Sequence, residues 1–131
     1  MNFDCVGKDI RGNYYMKFHQ PFNPVEKIQL LQRSILVNSF AYYEMNENIA
    51  TDFQYDDNAK QLAELKKEYP EEFKRSRYYD YFHDYGGEDD MHYTSGFDLL
   101  RKIEKQDREL YRHIWIDAVM ALDLKAKRGE A

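Results

Sequence analysis

The sequence predicts a mainly α fold, and three observations carry that expectation. Apolar residues recur at helical intervals in three blocks, 25–45, 53–69 and 97–124. Each block opens behind a residue suited to capping a helix: Asn23, then Thr51 or Asp52, then Thr94 or Ser95. The three prolines, Pro21, Pro24 and Pro70, stand at the edges of blocks and never inside one.

Taken in order, the elements are as follows. In 1–23, two short β-leaning runs, NFDCV and NYYMKF, flank GKDIRG, which has glycine at both ends, and together they predict a small hairpin or arm. Asn23 before Pro24 offers a cap with proline at the first helical position, so a helix should run from Val25 to about Met45. Its stripe is Ile28, Leu31, Ile35 and Tyr42, widened by Leu36, Phe40 and Tyr43. After a polar turn at Asn46 to Thr51, Phe53, Ala59, Leu62, Leu65 and Tyr69 mark a second helix that stops at Pro70, with EEF allowing one further turn. Residues 24–75 thus form an antiparallel helical hairpin. The tyrosine-rich segment 76–95, with its glycine pair, reads as an irregular acidic loop held by ring packing. In 96–131, Phe97, Leu100 and Ile103 begin a third helix, and the pattern continues through Leu110, Ile114, Trp115, Val119, Leu122 and Leu124, with a break near Gln106 or Asp107. The basic end, KAKRGEA, suits a helix C-terminus.

Length and composition bound the function. A chain of 131 residues, 43% hydrophobic with 21 aromatic rings, can bury the core of one domain, 1–131. One cysteine, Cys5, excludes an internal disulfide framework and suits a reducing cytosol. No apolar run is long enough to span a bilayer and no signal peptide opens the chain, so the expected location is cytoplasmic, without a membrane partner. The net charge of −5 is concentrated in the middle: Asp52 to Asp90 holds twelve acids against six bases. That distribution argues against direct binding of duplex nucleic acid, which needs phosphates to be neutralised.

The most informative stretch is YYEMNENIATDFQYDDNAKQLAELKKEYP, Tyr42 to Pro70. It sets two rings at the end of one helix and two carboxylates at the start of the next. A surface turn requires neither, whereas a flat ring with a polar edge would use both.

This run resembles the N-terminal Ia domain of NAD-dependent bacterial DNA ligases, which reads YxxxDxxxISDAEYDxLxxELxxLExxxP. Tyr42, Asp52, Tyr55, Asp56, Leu62, Leu65 and Pro70 fall on that pattern without a gap, over about a quarter of the chain. The resemblance implies that Tyr42 and Tyr55 sandwich a nicotinamide ring and that Asp52 and Asp56 bond its polar groups, with nicotinamide mononucleotide or NAD as the ligand. Tyr43 stands where the family has a histidine, and Asn58 replaces its usual leucine. The K-x-D-G lysine of nucleotidyl transfer is missing, GKDIRG being the nearest string, so the chain is not expected to be a ligase or another enzyme. It is similar to the short, stand-alone ligase-related proteins of phages and mobile elements.

The expected role is therefore a non-catalytic binder with a site at Tyr42, Tyr43, Asp52, Tyr55 and Asp56, requiring no cofactor. A rival from another class is a phage-borne interaction module that inhibits a host nuclease or defence complex. It would use the acidic surface of Asp80, Asp84, Glu88, Asp89 and Asp90 against a basic protein partner. Those acids with His83 and His92 match no closed metal motif, and a solvated loop is the simpler reading. Cys5, His19 and His113 form no nucleophilic arrangement. Lys74, Arg75 and Arg77 could meet a phosphate, although a helix end with locally paired charges explains them as well.

Overall fold

The computed structural model describes residues 23–85 and 96–129, and the backbone of residues 6–8 and 14–16. Strands β1 (Val6–Lys8) and β2 (Tyr14–Met16) pair antiparallel, with Val6 opposite Met16. Among the described residues six helices follow: α1 (Pro24–Met45), α2 (Asp52–Glu68), α3 (Pro70–Lys74), α4 (Tyr79–Phe82), α5 (Gly96–Gln106) and α6 (Arg108–Lys127). The mainly α expectation holds, and among the described residues no helix is long and apolar enough to cross a membrane.

Helix α1 starts where its cap requires. The Asn23 side chain accepts a hydrogen bond from the Glu26 amide at 3.3 Å, and Pro24 occupies the first turn, where a missing N–H costs nothing. Ile28, Leu31, Ile35, Leu36, Phe40 and Ala41 are buried along it, and it packs on α2, α3, α5 and α6. Three polar side chains are buried with them, Gln32 and Ser39 on α1 and Ser76 after α3. Gln32 donates through Nε2 to Ser76 Oγ at 3.0 Å, and Ser76 Oγ donates onward to the Phe73 carbonyl at 2.6 Å.

Helix α2 returns along α1, burying Ala59 and Leu62. Phe53, expected on the same stripe, is 80% exposed. It lies two residues before Tyr55, which packs against the core, and two residues of helix rotate a side chain by about 200° to the opposite face. Pro70 ends the helix and opens the short α3, whose Phe73 is buried.

The segment from Ser76 onward departs from the expected loop. Its first ten residues form α4 and its flanking turns, with Ser76, Tyr78, Phe82 and Tyr85 buried in the same core as α1. Edge contacts of Phe82 with Tyr85 at 5.3 Å and Phe73 with Tyr79 at 6.1 Å supply the ring packing. Lys66 Nζ secures the end of the segment by donating to the carbonyls of His83 and Tyr85. Glu88, Asp89, Asp90 and His92 lie outside the described residues, as do Cys5 and His19.

The break before α6 falls at Asp107, whose side chain accepts from the Leu110 amide at 3.0 Å. On α5, Gly96, Leu99, Leu100 and Ile103 are buried, so the stripe sits differently from the expected one and Phe97 stays partly exposed. On α6 only Ile114 and Ala118 are buried outright, while Trp115, Val119 and Leu124 of the expected stripe face outward beside Ile116 and Met120. Arg33 fastens α1 to α6, its Nε donating to Asp117 at 3.0 Å and its Nη1 to the Tyr78 hydroxyl at 3.3 Å. Burial alone would lower the Arg33 pKa, but the bond to Asp117 and the nearby Tyr78 raise it, so the guanidinium stays charged.

Leu62 and Phe53 give the sharpest contrast in stability. Leu62→Ala should lower the unfolding free energy by about 2–5 kcal/mol in urea denaturation, because it opens a cavity between α1 and α2. Phe53→Ala should stay within about 0.5 kcal/mol, as for an exposed side chain.

Candidate functional site

The predicted corner is built by the way α1 ends. Asn46 adopts a left-handed conformation (φ 54°), and its amide and that of Glu47 both bond to the Ala41 carbonyl. Asparagine tolerates this conformation better than most residues. The chain turns back there and re-enters a helix at Thr51 through a reciprocal cap: Thr51 Oγ1 accepts from the Gln54 amide at 3.1 Å, and Gln54 Oε1 accepts from the Thr51 amide at 3.0 Å. Asp52 is thereby fixed as the first residue of α2, where the helix dipole favours its carboxylate. Lys125 Nζ donates to the Asn48 carbonyl at 2.6 Å and ties the end of α6 to the turn.

A cleft of about 210 Å³ opens at this corner. Of the sequence-predicted residues, Tyr42, Tyr43, Asp52 and Tyr55 line it. Asp56 does not; it lies one position further around α2, on the exposed side. Tyr42 and Tyr43 are 54% and 46% exposed and meet edge to face at 4.9 Å. Tyr43 in turn rests its ring against Phe97 of α5 at 5.5 Å. The histidine position of the ligase pattern is therefore filled by a ring that braces Tyr42 on α5.

The floor of the cleft is polar. Ser39 Oγ and the Tyr55 hydroxyl share a hydrogen bond at 3.0 Å. Asn38 donates to the Ser34 carbonyl at 2.7 Å, while its Oδ1 is buried with no partner among the described residues. Asn58 Nδ2 donates to Ser34 Oγ at 3.2 Å, so the residue in place of the family leucine joins this polar group. Asn38, Ser39, Asn48, Ile49 and Ala50 also line the cleft and were not anticipated. Asn38 and Ser39 could have been found from spacing, since they stand four and three residues before Tyr42 on one helix face.

The other predicted groups lie elsewhere. The Arg77 amide donates to Gln29 Oε1 at 2.9 Å and its guanidinium lies over the Tyr78 ring, while Lys74 and Arg75 pair with Glu71 and Glu72. Gln29 is thirteen residues before Tyr42 on α1, about 20 Å along the helix, so this cluster does not serve the corner. Asp84 faces Lys102 at 3.9 Å, Asp80 is exposed, and His83 tilts against the Tyr79 ring. Among the described residues no group of His, Cys, Asp and Glu is placed to hold a metal ion.

Gly96 is the hidden support of the site. A Cβ built there would stand 2.3 Å from Ser39 Oγ and 2.9 Å from the Tyr55 hydroxyl oxygen. Gly96→Ala should push this pair apart and cost about 1–3 kcal/mol in urea denaturation. The mobility of the Tyr55 ring, followed by NMR, should rise with it.

No family model, curated protein or solved structure matches this chain.

Proposed function

We propose that the corner cleft binds the nicotinamide end of nicotinamide mononucleotide or NAD, holding the ligand without transforming it. The observation that carries this reading is the convergence of exposed Tyr42 and Tyr43 rings, the Asp52 carboxylate and the Tyr55 hydroxyl in one recess. Its size supports a single ring: about 210 Å³ is below the range of roughly 300–1,000 Å³ typical of sites for drug-sized ligands. The rest of a nucleotide would extend out of the cleft.

The chemistry is complementary. A carboxamide offers two N–H donors and one carbonyl acceptor, and the lining offers the Asp52 carboxylate as an acceptor beside the hydrogen-bonded Ser39 and Tyr55 hydroxyls, one of which donates to the other. The oxidised nicotinamide ring carries a positive charge, which tyrosine faces and a nearby carboxylate both attract. The reduced ring is neutral and loses that term. Oxidised ligand should therefore bind more tightly than reduced ligand.

Calorimetric titration with nicotinamide mononucleotide, NAD and NADH tests the reading. The oxidised forms should bind with micromolar to millimolar affinity, about 4–8 kcal/mol, and ahead of NADH. Tyr55→Ala should abolish the heat while leaving the far-UV circular dichroism intact. No heat at millimolar ligand, or equal affinity for NAD and NADH, would sink the proposal. Incubation with radiolabelled NAD should leave the protein unlabelled, because the lysine of the nucleotidyl-transfer motif is missing; a covalent adenylate would contradict the non-catalytic assignment.

A further inference from the structure

A second recess lies at the elbow between α5 and α6, and it shares no residue with the corner cleft. Lys105 stands in the last turn of α5, and Arg108 and Arg112 follow the Asp107 cap on α6. Arg108, Arg112 and Trp115 are spaced i, i+4 and i+7, which places them in one row about 10 Å long. The recess measures about 720 Å³, within the roughly 300–1,000 Å³ of small-ligand sites.

Charge at the elbow is unbalanced. Four cations line the recess against one carboxylate, Glu104. Arg101, the innermost, is already engaged by Glu44, by Glu104 at 3.4 Å and by the Tyr111 hydroxyl at 3.2 Å. Among the described residues, Lys105, Arg108 and Arg112 have no carboxylate partner. In a protein of net charge −5, three neighbouring unpaired cations repel one another while acids are abundant elsewhere. An anion of high charge relieves that repulsion. At the other end of the row, Trp115 is 51% exposed, with no ring or cation packed on it among the described residues.

We propose that this elbow binds a nucleoside polyphosphate, its base stacked on Trp115 and its phosphates held by Arg112, Arg108 and Lys105. Guanidinium forks match phosphate oxygens two at a time, and an open indole face accepts any planar base. The row is long enough for a ring at one end and a chain of phosphates at the other. A long single strand fits less well, since its further phosphates would meet the repulsion of a net-acidic protein.

Trp115 is the only tryptophan, so its fluorescence reports on this recess alone. Titration with ATP or GTP should quench it saturably, and inorganic tripolyphosphate should compete, while adenosine should not quench. Arg108→Glu with Arg112→Glu should weaken the nucleotide by at least about tenfold, with unchanged circular dichroism because both side chains are exposed. Absence of quenching at millimolar ATP, equal quenching by adenosine, or indifference to the double charge reversal would each overturn the proposal. A single-stranded oligonucleotide quenching at far lower concentration than ATP would overturn it too, in favour of a strand-binding groove.

Discussion

Among the described residues, the core is organised around α1. Its 22 residues bury apolar side chains around most of their circumference, and α2, α3, α5 and α6 each cover part of it. Burying each large aliphatic side chain stabilises the fold by about 1.5–3 kcal/mol, so Ile28, Leu31, Ile35 and Leu36 together exceed any contribution from the surface ion pairs. The buried glutamine of α1 is bonded, among the described residues, on the amide side only, and to a distant residue. Gln32 reaches Ser76, and Ser76 reaches Phe73, which draws the segment after α3 against the central helix. This constraint converts a tyrosine-rich stretch into part of the core.

The corner cleft is a by-product of the same helix. Apolar coverage of α1 thins in its last turn, where Tyr42 and Tyr43 remain about half exposed although Phe97 of α5 edges Tyr43. The left-handed Asn46 and the Thr51 cap then fold the chain back so that α2 starts beside the uncovered rings. Helix α5 backs the lining, with Gly96 against the Ser39–Tyr55 pair and Phe97 against Tyr43. A recess lined by α1, the turn and α2 follows from two helix ends and one glycine.

Charge is distributed in the opposite sense at the two recesses. The corner presents Asp52 beside the Tyr42 and Tyr43 rings, which suits a ring that is cationic or rich in donors. The elbow presents Lys105, Arg108 and Arg112, which suits phosphate. The hydroxyl of Tyr111, beside Arg101 at the elbow, has its pKa raised mainly by burial and by Glu104, with Arg101 opposing, so it remains a neutral hydrogen-bonding group.

By itself the sequence determined the helical class, the boundaries of the first two helices, the turn between them, the break at Asp107 and four residues of the corner cleft. These follow from signals that act within a few residues: caps, prolines and the helical period. Tertiary structure decided the rest. Whether Phe53, Trp115 or Val119 faces inward depends on which neighbours cover the helix, and a broad apolar stripe does not say which of its edges will be covered. The burial of Tyr78, Phe82 and Tyr85 depends on a core shared by helices far apart in sequence, with α4 meeting α5. Asp56 carried the same chemistry as Asp52 but sits on another side of α2, and Gly96 entered the site from a different helix. Short-range chemistry sets where helices begin and end; only long-range packing sets what each of their faces meets.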